Sequence, residues 1–227
     1  MKQLILDISS LPAPSLDNFV PGKNGELLQL LKDIACGSSA EHFVYLWGEQ
    51  GSGKTHLLQS MVNAAATRGS SVNYVACSAS EKPELGCANI DFVAIDDVEQ
   101  LNQESQIALF NLYNGMRAAS GVMVVSAGAA TTQLNMRKDL VTRLSWGLVY
   151  ALHGLSDEEK AQALTGHACA CGFQLTSDMT RYLLTHAQRD FPTLLATIDA
   201  LDKFSLETKR PITLPLLREI MRTEASR

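Results

Sequence analysis

The strongest chemical signal in the chain is Gly48-Glu49-Gln50-Gly51-Ser52-Gly53-Lys54-Thr55, whose spacing is G-x-x-x-x-G-K-[ST]. Phosphate oxygens call for many donors and little steric bulk. Gly48, Gln50, Gly51, Ser52 and Gly53 form a turn whose backbone N–H groups converge at a helix start, where the dipole favours an anion. Lys54 is placed to reach the outer phosphates of a nucleotide, and the Thr55 hydroxyl to bind Mg²⁺. A second signal is Phe92-Val93-Ala94-Ile95-Asp96-Asp97, an apolar run ending in two acids. A Mg²⁺·nucleotide site needs such acids opposite the phosphate loop. Asp96 would hold the metal through water, and Asp97 would polarise an attacking water. Asp91, before the run, reads as a solvated loop acid.

These residues need rigid carriers. Phe43–Trp47 is a short apolar run ending at glycine, which predicts a buried strand. A helix is expected from about Lys54 to Thr67, strands at Val72–Cys77 and Phe92–Ile95, and a helix over Gln103–Ala119. A strand at Val122–Ser126, a short helix at Lys138–Leu144 and a strand at Leu148–Leu152 follow. The alternation predicts a Rossmann-like α/β domain, a parallel sheet with helices on both faces. Residues 8–25 are rich in Pro and Gly and read as a loop, with Asn24 an N-cap for a helix over Glu26–Ala35. After His153 only helical patterns remain. Ser156 and Glu159 have capping-box spacing, further helices start near Thr176–Asp178 and Asp190–Pro192, and a last one covers Leu214–Met221. Three segments are expected: 1–15, an α/β domain 16–154 and a helical lid 155–227.

Composition narrows the class. The chain has 227 residues, 46% of them hydrophobic, which excludes a disordered protein. No apolar run reaches the roughly 18–20 residues of a membrane helix. The N-terminal apolar stretch is cut off at Asp7, too short for a secretion signal, so a cytoplasmic protein is expected. A net charge of −5 argues against duplex nucleic acid as the main partner. Cys36, Cys77, Cys87, Cys169 and Cys171 include no C-x-x-C pair and read as buried, inert thiols. His42, His153, His167 and His186 form no ligand set by spacing. Trp47 and Trp146, each beside a motif glycine, read as core packing next to the sheet.

The Gly-Lys-Thr turn followed by His56-Leu57-Leu58, together with Asp96-Asp97, resembles the AAA+ ATPases of the DnaA branch. Leu16-Asp17-Asn18-Phe19-Val20-Pro21-Gly22 resembles that branch's linker box, which implies that Phe19 and Val20 contact the nucleotide, with His56 nearby on the base side. Arg143-Leu144-Ser145-Trp146-Gly147 resembles its arginine-finger segment, which implies that Arg143 acts in trans. Leu155–Lys160 and Leu201-Asp202 resemble short homologues of the initiator that inactivate it. Gln3-Leu4-Ile5-Leu6-Asp7-Ile8 resembles the peptide by which such homologues grip the DNA sliding clamp, with Gln3 as polar anchor and Leu4, Leu6 and Ile8 in an apolar groove. The chain ends soon after the lid, and no helix-turn-helix DNA-binding domain is expected.

The resemblance implies ADP or ATP with Mg²⁺ as ligand. It implies the initiator DnaA and the clamp (the beta subunit of DNA polymerase III) as partners, with self-association in addition. No sequence-specific DNA contact and no membrane association are expected. Two departures stand out. Where the branch carries an acidic or amide sensor, this chain has Ser126-Ala127-Gly128-Ala129, leaving Ser126. The lid arginine aligns with Pro192, and Arg189 is its stand-in. Intrinsic hydrolysis is therefore expected to be weak or absent. The alternative is an autonomous ATPase of the same branch that loads or remodels a replicative helicase. A loader should carry a helicase-binding extension, for which the short segment before the linker box leaves little room.

Overall fold

The apolar strand runs and the helices between them fold as their order predicts. The computed structural model describes residues 13–78, 85, 90–186 and 191–225, with side chains to 222. The chain divides into two compact units between Gly154 and Leu155.

In the first unit five parallel strands form one sheet: β1 (Phe43–Trp47), β2 (Val72–Ala76), β3 (Phe92–Asp96), β4 (Val122–Ala127) and β5 (Leu148–Ala151). Their order is β2-β3-β4-β1-β5. Helices α1 (Gly25–Cys36), α2 (Lys54–Thr67), α3 (Gln103–Ala118) and α4 (Lys138–Leu144) accompany them. Neighbouring residues of one strand serve opposite faces. Val93, Ile95, Met123 and Val125 join the α3 side with Leu109 and Leu112. Ala94 and Val124 join the α2 side with Leu57, Leu58 and Met61. The side-chain period of a strand is two, and helices cover both faces, so the central strands read as continuous apolar runs.

Asn24 departs from its expected role. It stands at the N-cap position of α1, but its side chain makes no cap bond. Its Nδ2 donates to the carbonyls of Pro21 (3.0 Å) and His153 (2.8 Å), and its Oδ1 accepts from the His153 N–H (2.9 Å). Only 4% exposed, the amide satisfies both backbone groups of the residue that leaves the sheet after β5. A buried amide gains more from three such bonds than from a single cap.

The second unit holds α5 (Asp157–Ala170), α6 (Ser177–His186), α7 (Phe191–Thr208) and α8 (Leu214–Ala225). The capping box forms: Ser156 Oγ accepts from Glu159 N–H (3.2 Å), and Glu159 Oε2 accepts from Ser156 N–H (2.8 Å). Leu164, Leu183, Leu194, Ile198 and Leu217 meet in the core of this unit. No described helix is long and apolar enough to cross a membrane.

Candidate functional site

β1 delivers the chain into the turn Gly48–Gly53, and α2 begins at Lys54. Gly53 has φ +100°, and a Cβ there would lie 2.8 Å from Phe19 Cε2. Both the backbone and the space therefore demand glycine. The first bond of α2 runs from Leu57 N–H to the Gly53 carbonyl at 3.0 Å, leaving the N–H groups of the first turn for an anion. Lys54 is only 8% exposed. Its Nζ donates to the carbonyls of Gly48 (2.9 Å) and Glu49 (3.2 Å), so the ammonium sits over the mouth of the turn. Ser52 Oγ is buried without a partner, a polar atom turned into the turn with nothing to bond. Gln50 and Gly51 are exposed at its tip. These features fit a phosphate chain.

Across from the turn, Asp96 is 3% exposed at the end of β3. Its Oδ2 accepts from Thr55 Oγ1 (2.6 Å) and from the Tyr74 hydroxyl (3.0 Å), and its Oδ1 accepts from Ser126 Oγ. Thr55 and Asp96, the two expected metal-site residues, are thus in direct contact. Ser126 also accepts from the Asp97 N–H at 3.0 Å. Because β4 lies between β1 and β3, the end of β4 falls between the phosphate turn and the acids. Asp97 adopts φ +55°. Its carboxyl is held above the usual range, first by burial and then by Asp96 and Glu99, against the pull of Lys54. Carboxylates whose repulsion raises a pKa suit a divalent cation.

Glu99 was not expected here. Its Oε1 accepts from the Gly128 N–H at 2.7 Å, and its Oε2 is buried without a partner. It therefore reaches across to the place where the sensor side chain is missing. A third acid two residues beyond Asp97 was the available signal.

The linker segment lies along α2. Asn63 Nδ2 donates to the Pro14 carbonyl (2.9 Å), and His56 Nε2–H to the Ser15 carbonyl (3.1 Å). Phe19 covers Gly53, its ring 5.7 Å from that of His56, and Val20 follows, half-buried. Burial lowers the His56 pKa and favours the neutral ring, outweighing the Ser15 bond, which pulls toward the protonated ring. Phe19 and His56 are therefore brought to the phosphate turn.

Arg143 lies elsewhere. It lies in the last turn of α4, shortly before β5, whose first residue Leu148 is in register with Val44 near the start of β1. The phosphate turn follows the other end of β1. The five residues of β1 separate the two by about 15 Å at ordinary strand rise. The Arg143 guanidinium stacks 4.1 Å from the Trp146 ring centroid and 5.6 Å from that of Phe110, and Arg117 stacks 4.9 Å from Trp146. Trp146 is 54% exposed, which corrects its expected place in the core. Leu140 and Leu144 fill the buried side of α4, and the indole is left to the two cations. Trp47 does pack, half-buried, against the sheet. Arg137 pairs with Asp139 at 2.7 Å.

The cysteine expectation also changes. Among the described cysteines Cys77 alone is buried, and burial with Asp96, Asp97 and Glu99 pushes its thiol up to about 12. Cys36 and Cys169 are exposed and Cys171 is half-buried, because helix ends and outer faces leave them uncovered. His167, expected to belong to no ligand set, meets Cys171 and Asp199; the missed signal was the i, i+4 spacing across the C-terminal end of α5. Arg189 and the peptide residues Gln3, Leu4, Leu6 and Ile8 lie outside the described residues.

A parallel sheet with β4 between the phosphate-turn strand and the acid strand, joined to a helical lid, defines a P-loop NTPase of the AAA+ class. A family model described as the bacterial DnaA ATPase domain matches residues 13–151, and one described as the Hda lid domain matches residues 157–221. The chain belongs to the DnaA ATPase-domain family, with an Hda-type lid. An uncharacterized protein of Haemophilus influenzae is 34% identical over 230 residues, covering 97% of this chain and 98% of that protein. Domain III of Thermotoga maritima DnaA shares the fold with a TM-score of 0.72 at 20% identity, over 93% of this chain and 98% of that one. AMPPCP-bound DnaA from Aquifex aeolicus gives 0.68 at 21% identity, over 87% and 66%. A RuvB variant of Thermotoga maritima gives 0.67 at 15% identity, over 95% and 73%.

Proposed function

We propose that this chain restrains the initiation of chromosomal replication by stimulating ATP hydrolysis on the initiator DnaA. An adenine nucleotide, ADP or ATP, would be held by the N–H groups of Gly51–Gly53 and by Lys54, with Phe19, Val20 and His56 beside it. Thr55 and Asp96 would hold Mg²⁺, which neutralises phosphate charge when bound. Asp97 is the water-orienting candidate. Gly128 and Pro192 stand where the family pattern places sensors, so the chain's own turnover is weak or absent. Gln3, Leu4, Leu6 and Ile8 would dock on the sliding clamp and confine activity to replicated DNA; that part rests on the sequence.

One observation carries the reading: Arg143 lies at the opposite end of β1 from the chain's own phosphate turn, on an exposed aromatic platform. A guanidinium so placed serves a neighbour's phosphates. An arginine supplied in trans is worth roughly 10³–10⁵ in hydrolysis rate. The test is the initiator's ATP hydrolysis on clamp-loaded DNA. The wild-type chain should accelerate it, and Arg143→Ala should not, while keeping its own nucleotide. Full stimulation by Arg143→Ala would remove this residue from the mechanism.

A further inference from the structure

We propose that the helical unit carries a transition-metal site of the zinc type, formed by His167, Cys171 and Asp199. His167 lies in the last turn of α5 and Cys171 is its C-cap residue, still in helical conformation one turn on, so they share a face, and Asp199 on α7 meets both. His167 Nε2–H donates to Asp199 Oδ1 at 2.6 Å, and Cys171 Sγ lies 3.9 Å from the same oxygen. The three ligand atoms all lie within 4.8 Å of one another. A tetrahedral zinc ion, with bonds of about 2.0 Å to nitrogen and oxygen and about 2.3 Å to sulfur, spaces its ligands roughly 3.3–3.6 Å apart. The sulfur–oxygen distance is already near that value. The nitrogen–oxygen pair needs to open by less than one ångström, which side-chain rotation on two helices supplies.

The donor chemistry selects the ion. One imidazole nitrogen, one thiolate and one carboxylate suit zinc or cobalt, and the sulfur argues against Mg²⁺ and Ca²⁺. Burial first, and then Asp199 and Asp202, hold the Cys171 thiol above its usual range, so an ion binds there by displacing the thiol proton. The site opens at the surface, with the His167 side chain 33% and the Asp199 side chain 43% exposed. A fourth position is therefore left to solvent. A bound ion would clip the C-terminal turn of α5 to the middle of α7 and stabilise the unit by mass action.

The test is a Co²⁺ titration of the full chain, without nucleotide. One equivalent should give a thiolate-to-cobalt charge-transfer band in the near ultraviolet. Cys171→Ser should abolish the band, and Cys169→Ser should keep it. Asp199→Asn and His167→Gln should weaken binding at least tenfold, since even outer-shell changes cost about 10–100-fold. In the unaltered chain, Zn²⁺ should slow alkylation of Cys171 but not of Cys36, which needs no variant to fold. No band in the wild type, a band that survives Cys171→Ser, or unprotected Cys171 overturns the proposal and leaves a His167–Asp199 hydrogen bond alone.

Discussion

Replacing Asn24 probes the joint that seats the linker over the phosphate turn. Asn24→Ala removes three hydrogen bonds at a residue 4% exposed. The Pro21 carbonyl keeps a partner, because the Asn24 backbone N–H still donates to it at 2.7 Å. The His153 N–H and carbonyl lose theirs. Each buried polar group left unpaired costs about 1–3 kcal/mol, and His153 is exposed enough for water to recover part. A loss of about 2 kcal/mol is expected, or about 4–8 °C in Tm for a unit of this size. Calorimetry reads it directly. Asn24→Ser separates bridge from cap: serine caps helices well, but its short side chain cannot span both backbone groups of His153. The bridge therefore predicts that serine loses nearly as much as alanine. A serine variant as stable as wild type beside a destabilised alanine variant would refute the bridging role. ADP affinity should fall in parallel, because the same segment carries Phe19 onto Gly53.

Gly53→Ala should nearly abolish nucleotide binding by calorimetry, since a Cβ at φ +100° meets Phe19 and displaces the turn; unchanged affinity would exclude this turn as the site. Asp97→Asn should raise stability at neutral pH. The folded pKa of Asp97 lies above its unfolded value, so the native state binds more protons and stability falls as pH rises through that window. Urea midpoints should therefore show the gain of Asp97→Asn near neutrality and its disappearance at a pH below the ordinary aspartate range. Gln3→Ala/Leu6→Ala should weaken clamp binding by roughly 2 kcal/mol or more, about thirtyfold, with circular dichroism unchanged; native affinity on a clamp surface would disprove the anchor roles. Lys54→Ala should lose ADP and ATP binding while the fold persists, because it deletes the cation held over the turn.

The elements of this protein were legible in the sequence because their signals are local. The apolar runs Phe43–Trp47 and Phe92–Asp96, the glycine spacing of the phosphate turn and the Ser156–Glu159 capping box each depend on residues a few positions apart. The pairing of Thr55 with Asp96 across the turn followed from the chemistry a Mg²⁺·nucleotide requires. Periodicity shows which face of an element is apolar, but not which polar group will stand opposite a given side chain. Strand order and register decide that. Placing β4 between β1 and β3 set Ser126 on Asp96 and let Glu99 reach Gly128. The return of β5 beside β1 set His153 on Asn24 and took away its expected cap. That same register put Arg143 at the far end of the sheet from Lys54 and left Trp146 in solvent, because Leu140 and Leu144 already filled the buried side of α4. The packing of α7 on α5 brought Asp199 to His167 and Cys171, a meeting of residues about thirty positions apart that no local pattern encodes.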